Sequence, residues 1–134
     1  MTDYIVDTNH LSCIVTINHP LRRKFFQQIR RGDEFAIAAP ILAEFLFGIR
    51  STKRARQNLA EWHQLRPSFT FYVTDEPDAE KAALLQLAMK RQGHQLKTPD
   101  ALIAAIALHY DLILLTTDND FNQIPELTQG NWLV

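Results

Sequence analysis

The sequence predicts an α/β fold with a short parallel β-sheet flanked by helices. Short apolar runs alternate along the chain with longer segments whose apolar residues recur at helical spacing. Fully apolar strands are typical of parallel sheets that helices cover on both faces. The 134 residues include only four glycines and show no repeat or low-complexity segment, so we expect a single domain over residues 1–134.

Five apolar runs are predicted to form strands. The first run, Tyr4-Ile5-Val6, ends abruptly in Asp7-Thr8-Asn9, a combination that favours a turn. The other runs are also short, with three to five residues each. The predicted strands cover residues 4–6, 35–38, 69–73 and 112–115, with a short last strand at 132–134.

The segments between the strands carry helical periodicity and recognisable start or stop signals. Pro20 and Pro67 are expected to end the helices that precede them, and Gly48 to close the third helix. Ser51 is expected to cap the fourth helix. The predicted helices cover residues 11–17, 21–31, 40–48, 51–65, 77–92 and 99–109.

Composition excludes several classes of protein. A net charge of −1 excludes a polycationic nucleic-acid binder, although residues 1–66 carry +4 and residues 67–134 carry −5. A single cysteine, Cys13, excludes a disulfide framework and a cysteine-built zinc site. No run approaches the roughly 18 apolar residues of a membrane span, and no leader-like segment opens the chain. We therefore expect a cytoplasmic protein with no membrane partner.

Several carboxylates occupy positions that suggest a common site. Asp7 and Asp118 follow predicted strands, and Glu44 and Asp100 lie in the first turns of predicted helices. Each acid also has an ordinary interpretation. Asp7 and Asp118 are typical of turns, and Glu44 would fit a narrow exposed stripe of its helix. Asp100 would be an acid at the start of a helix whose N-cap is Thr98. In a parallel sheet, however, all four can converge at one edge. Clustered carboxylates repel one another unless a cation intervenes, and oxygen ligands favour Mg²⁺ or Mn²⁺ over zinc.

Four motifs in chain order resemble the PIN domain family. They are Val6-Asp7-Thr8-Asn9, Glu44 within an apolar helix, residues 99–107 and residues 115–121. The chain resembles, more narrowly, the VapC toxins of bacterial and archaeal toxin–antitoxin pairs. The resemblance covers nearly the whole chain, and its last two motifs are the most specific. It implies a PIN-like three-layer α/β/α fold.

The resemblance also implies an activity and its site. The expected activity is that of a Mg²⁺-dependent endoribonuclease, with Mn²⁺ as an alternative ion, that leaves a 5′-phosphate and a 3′-hydroxyl. Its catalytic acids would be Asp7, Glu44, Asp100 and Asp118. Asp7, Asp100 and Asp118 would be the metal ligands, and Glu44 would hold a water or remove its proton. Asp120 would be an auxiliary acid, and Thr8, Asn9 and Thr116 would orient ligands or water.

The same resemblance implies the partners. These are an RNA substrate, a cognate VapB-type antitoxin and a second copy of the chain in a homodimer, with DNA contacted only through the antitoxin. A basic segment without acids is expected to bind RNA phosphates beside the acidic site, a solvated helix face being the alternative. Its members are Arg50, Lys53, Arg54 and Arg56.

The residues at the strand ends exclude two other phosphate-handling folds. A receiver domain would require paired acids after the first strand, and a haloacid-dehalogenase-type phosphatase would require Asp-x-Asp where this chain has Asn9. Two alternatives stay open. One is a PIN nuclease of RNA processing without an antitoxin. The other is a catalytically silent binding module, although such modules usually lack one or more core acids.

Overall fold

Strands and helices alternate along the chain in the computed structural model, which describes residues 1–134. Every pair of neighbouring strands runs parallel, in the order β3-β2-β1-β4-β5. This arrangement confirms the predicted parallel sheet. The strands are β1 Asp3–Val6, β2 Glu34–Ala38, β3 Thr70–Tyr72, β4 Ile113–Leu115 and β5 Gln129–Gly130.

Six helices flank this sheet, and two short 3₁₀ turns follow α4 and β4 at Arg66–Ser68 and Asn119–Phe121. None of the helices combines the length and the hydropathy needed to cross a membrane. The helices are α1 Thr8–Val15, α2 Pro20–Arg30, α3 Ala39–Arg50, α4 Ala55–Leu65, α5 Glu76–Arg91 and α6 Thr98–His109.

The central strand β1 determines where polar loops emerge. Ile5 pairs with Ala36 of β2 on one side and with Leu114 of β4 on the other. The backbone N–H of Asp7 then donates to the carbonyl of Leu115 at 2.9 Å, which extends the ladder by one residue. Because the strands are parallel, the residues that follow β1 and β4 leave the sheet at the same edge.

An apolar core of 32 buried residues holds the helices on the sheet. Aromatic rings form much of it: the Phe25 ring lies 4.8 Å from that of Phe35 and 5.0 Å from that of Phe69. Trp62 joins this cluster 5.7 Å from Phe69. The buried Trp62 and Phe69 therefore serve packing of the core.

Several predicted helix boundaries in the first half of the chain are wrong. Helix α1 begins at Thr8, because the Asp7 carboxylate accepts the Thr8 N–H at 2.8 Å and caps the helix early. Pro20 is the first residue of α2 rather than the end of α1. At that position a backbone N–H would have no partner within the helix, so its absence in proline loses no hydrogen bond. Gly48 lies inside α3, and Ser51 ends that helix by donating its hydroxyl to the Phe47 carbonyl at 2.8 Å.

Two predictions near the C-terminus are also wrong. Thr98 is the first residue of α6 rather than its N-cap, and Lys97 takes the cap position without a side-chain bond. The last strand is Gln129–Gly130 rather than residues 132–134, because β5 completes its ladder against β4 two residues earlier. Trp132 turns back instead and packs its ring 5.1 Å from that of Tyr4.

His10 ties the C-terminal segment to α1 from a fully buried position. Its Nε2 accepts the backbone N–H of Trp132 at 3.0 Å, while Nδ1 has no partner. Burial lowers the pKa of His10 to about 4. These contacts give His10 a structural role.

His10 is expected to make the protein sensitive to acid. As the pH falls from about 6.5 towards 4, the unfolded chain binds a proton at this residue before the folded chain does, so the free energy of unfolding decreases. Urea titrations of wild type and His10→Gln across this range measure the contribution as the difference between their pH slopes. His94→Gln, at an exposed position, is the control. Identical slopes for wild type and His10→Gln would contradict the assignment.

Candidate active site

Asp7 is held rigidly at the edge between β1 and β4. One carboxylate oxygen, Oδ1, accepts the N–H of Thr8 at 2.8 Å, as the cap of α1. The other, Oδ2, accepts the hydroxyl of Thr116 at 2.8 Å. Since both bonds are local to the sheet edge, they fix the direction in which the carboxylate points.

Thr116 connects this aspartate to the loop that follows β4. It is only 5 % exposed, and its hydroxyl also accepts the backbone N–H of Asp118 at 3.0 Å. The Asp118 carboxylate in turn accepts the N–H of Asp120 at 2.8 Å and caps the 3₁₀ turn. A series of three hydrogen bonds that begins at Asp7 therefore orders the loop.

Three carboxylates meet at the start of α6. One oxygen from each of Asp100, Asp118 and Asp120 lies within 4.8 Å of the other two. Asp100 reaches this point as the third residue of α6, and the other two come from the loop after β4. Asp120, predicted as an auxiliary acid, therefore lies beside Asp100 and Asp118.

The charges of four other acids act on Asp100. Desolvation has the largest influence, and together with the charges of Asp118, Asp7, Asp120 and Glu44, in that order, it raises the pKa of Asp100 to about 6. Mutual repulsion of this kind is relieved by a cation or by protons. The donor set consists of oxygen atoms, which suits a hard divalent cation and not a site built for zinc.

The remaining predicted site residues lie around this cluster. Glu44 is exposed and belongs to the second turn of α3, which begins at Ala39, one residue before the predicted start. The Thr8 hydroxyl is buried without a hydrogen-bond partner. The Asn9 side chain donates to the hydroxyl of Thr117 at 2.8 Å, which ties α1 to the loop after β4. The predicted roles of Thr8 and Asn9 in orienting ligands or water stay predictions.

Sequence patterns missed Thr117, and they gave Asp120 as an auxiliary acid without predicting how close it lies to Asp100 and Asp118. Two successive threonines directly after a strand were the available signal for Thr117. For Asp120, the signal was the two-residue spacing from Asp118, which a tight turn converts into proximity.

The basic residues Arg50, Lys53, Arg54 and Arg56 are all exposed. Arg54 lines a groove of about 680 Å³ between α1 and α4. This groove shares Val15, Thr16 and Asn58 with a smaller cavity that Glu44 lines. A continuous surface thus runs from the acids to Arg54.

A second group of potential ligands, Asp75, Asp78 and His109, has a structural explanation. Asp75 and Asp78 form a reciprocal cap at the start of α5, through bonds of 3.2 and 3.1 Å. The Nδ1 atom of His109 lies 2.9 Å from Oδ1 of Asp78. These contacts tie α5 to the end of α6.

Residues 4–127 match the PIN domain family, with the carboxylate edge inside the matched region. The chain belongs to the PIN domain family. Among curated proteins it is similar to ribonuclease VapC2 of Rickettsia felis, with 26 % identity over 141 residues that cover 96 % of this chain and 97 % of that protein. The four expected acidic positions, at Asp7, Glu44, Asp100 and Asp118, all lie within this PIN domain.

Solved structures show the same fold. The toxin–antitoxin complex VapBC2 of Rickettsia felis, bound to a promoter DNA fragment, matches with a TM-score of 0.85 at 20 % identity and covers 98 % of this chain and 99 % of that one. DNA-bound VapBC of Salmonella typhimurium matches with a TM-score of 0.81 at 21 % identity, with 98 % and 99 % coverage. FitAcB of Neisseria gonorrhoeae matches with 0.78, at the same identity and coverage. These similarities confirm the PIN-like α/β fold.

Proposed function

We propose that this PIN domain is a metal-dependent endoribonuclease and the toxin of a type II, VapBC-type toxin–antitoxin pair. The observation that carries the proposal is the convergence of five acids, Asp100 and the four whose charges act on it, at the carboxyl edge of the sheet. The similarity to a ribonuclease supports RNA as the substrate. The likeness to VapBC complexes supports a VapB-type antitoxin as the partner, with DNA contacted through it.

Asp7, Asp100 and Asp118 would hold the ion, with Asp120 beside them. Mg²⁺ fits this oxygen donor set, and Mn²⁺ is the alternative. When bound, such an ion lowers the pKa of water and offsets charge on a phosphodiester. The Thr116 hydroxyl supports the site by holding Asp7 at 2.8 Å and the Asp118 backbone at 3.0 Å.

Glu44 has a different place in the proposed reaction. Its carboxylate is exposed on α3 and faces the cluster closely enough to influence Asp100. From there it would hold the attacking water or remove its proton. The water would then attack in line with the phosphodiester bond that breaks. Cleavage would leave a 5′-phosphate and a 3′-hydroxyl. The protein would act as a homodimer in the cytoplasm.

RNA cleavage mapping tests the proposal. Purified protein is incubated with RNA in Mg²⁺, in Mn²⁺ and with excess chelator, and the ends of the products are identified. We expect cleavage with either ion and none with chelator. Cleavage that persists in chelator would contradict the metal dependence. Growth arrest on expression, relieved by an antitoxin encoded next to this gene, tests the toxin assignment.

Thr116→Val is expected to reduce the rate of RNA cleavage by about 10- to 100-fold. Valine has nearly the shape of threonine but cannot bond to Asp7 or to the Asp118 N–H, so both acids lose their orientation. Initial rates at saturating Mg²⁺ measure the effect. Thr70→Val on the edge strand β3 is the control and should cleave at the wild-type rate. Equal rates for Thr116→Val and wild type would show that these bonds do not support the site.

Arg54→Glu combined with Arg56→Glu is expected to raise the KM for RNA by about tenfold, with a smaller change in kcat. Both side chains are exposed, and Arg54 lies on the groove that leads to the acids. The effect should shrink with added salt, because it rests on phosphate contacts. Arg91→Glu, at the end of α5, is the control. A change confined to kcat would argue against RNA docking by these residues.

A further inference from the structure

A cavity of about 300 Å³ lies between α1, α3 and α4, directly beside the carboxylate edge. Thr8 and Glu44 line it, so the cavity and the proposed active site share a wall. Its floor is apolar and comes from Val15, Phe45 and Ile49. Its remaining walls are mostly polar, with side chains from Ser12, Thr16, Thr52 and Asn58. Neither the fold nor the proposed metal site accounts for this space.

Gly48 lies at the wall of this cavity, in the interior of α3. Glycine is less favourable than alanine in a helix interior, and this backbone is not in the left-handed region that favours glycine. A Cβ atom placed at Gly48 would meet no other atom within 4 Å. Neither packing nor backbone geometry therefore requires a glycine here. Because glycine has no side chain, it leaves the cavity wider than any other residue at this position would.

The cavity also offers unused hydrogen-bonding groups. The buried Thr8 hydroxyl has no partner, although buried polar groups are normally paired. The Asn58 amide reaches the Thr52 hydroxyl only at 3.5 Å, the limit for a hydrogen bond. Because the Thr8 hydroxyl is itself closed off from solvent, the Asn58 amide is the group that retains capacity to bind a polar ligand.

Helix α3 also carries an exposed aromatic ring, which does not itself line the cavity. Phe47 precedes Gly48, lies one helical turn beyond Glu44 and is 75 % exposed. Exposed aromatic rings serve as stacking platforms for unpaired bases, because every base has a π-face. An apolar floor, polar walls and a neighbouring aromatic ring are the features with which proteins bind single-stranded RNA.

We propose that this cavity receives one unpaired base of the RNA, from a nucleotide flanking the scissile phosphate, and thereby selects the position of cleavage. The inference rests on the proposed RNA cleavage. The apolar floor accommodates the base, the amide and hydroxyl groups contact its edge, and Phe47 stacks on the base or on its neighbour. Because a paired base cannot enter, the substrate is a single-stranded segment such as a loop.

The position of the cavity favours RNA over a segment of a partner protein. A phosphodiester aligned with Asp100 and Glu44 places its flanking bases within one nucleotide of the carboxylates, which is where the cavity lies. A volume near 300 Å³ is at the lower end of the range for ligand pockets and suits a single base.

Gly48→Leu tests the inference because it fills the cavity and favours the helix. A random single-stranded RNA library is cleaved, and the ends are sequenced. We expect wild type to prefer particular bases at one position next to the cut, and the variant to lose that preference. The KM for a preferred RNA should rise about tenfold, with a smaller change in kcat. Ala88→Leu adds the same side chain at an exposed position on α5 and should change neither quantity.

Asn58→Ala is the second variant and keeps the cavity open if Gly48→Leu does not fold. It is expected to change which base is preferred while cleavage continues. An unchanged base preference in the folded variants would overturn the inference and leave the proposed ribonuclease activity intact. If Gly48→Leu impairs only neutralisation by the antitoxin, the cavity binds protein. That result would also overturn the inference and leave the proposed ribonuclease activity intact. Failure of wild type to cleave any RNA would instead overturn the proposed function.

Discussion

Asp7→Asn is expected to reduce RNA cleavage by at least about 100-fold without unfolding the protein. The substitution removes the negative charge from a proposed metal ligand and leaves the side chain almost the same shape. Asparagine caps helices as well as aspartate does, so its oxygen can still accept the Thr8 N–H that begins α1. Single-turnover cleavage at saturating Mg²⁺ measures the loss, and circular dichroism checks the fold.

Asp3→Asn is the matched control for this experiment. Asp3 lies on the same strand β1, at its opposite end, and is exposed. The same chemical change there should leave the cleavage rate at the wild-type value. If folded Asp7→Asn cleaved RNA as fast as wild type, Asp7 would not belong to the catalytic site, and the proposed ligand set would be wrong.

Asp100→Asn is expected to abolish cleavage and yet stabilise the chelator-treated protein at neutral pH. The pKa of Asp100 is raised to about 6 by desolvation and by its acidic neighbours. As the pH rises from about 4 to 6, the unfolded chain loses this proton before the folded chain does, so the free energy of unfolding decreases. Asparagine carries no charge and avoids the loss. Allowing for solvent screening, we expect about 1 kcal/mol, or ~4 °C in Tm.

Thermal unfolding in chelator, at pH values on both sides of this range, measures the effect. Adding Mg²⁺ should raise the Tm of wild type and leave that of Asp100→Asn nearly unchanged, because the ion stabilises only the state that binds it. Asp111→Asn is the control. This exposed residue follows α6 in a left-handed backbone conformation that asparagine also adopts readily. A lower Tm for Asp100→Asn in chelator would contradict the repulsion among the acids.

The carboxylate edge could be predicted because its main determinants are local in the sequence. Asp7 and Asp118 follow short apolar runs, and apolar runs of that length in an alternating pattern indicate parallel strands. Strand ends of a parallel sheet share an edge, so proximity of the two acids follows from the fold class alone. The same reasoning placed Asp100 at that edge through its position at the start of α6.

Helix boundaries could not be predicted reliably, because each depends on which polar group captures a particular N–H or carbonyl. Asp7 was recognised as a turn residue, but the turn is short because its carboxylate caps α1 at once. Ser51 has the composition of an N-cap, yet its hydroxyl bonds back to Phe47 and ends α3. Helix α3 starts at Ala39, directly after β2 and one residue before the predicted start. Glu44 therefore lies in its second turn.

The sequence by itself determined the fold class, the family and the four candidate acids Asp7, Glu44, Asp100 and Asp118. These follow from the periodicity of apolar residues and from motifs a few residues long. Only the tertiary structure decided that Thr116 joins Asp7 across 109 positions of the chain, that Asp120 enters the tight cluster, and that Gly48 opens a cavity beside Glu44. Each of these depends on distances between segments far apart in sequence, which packing alone determines.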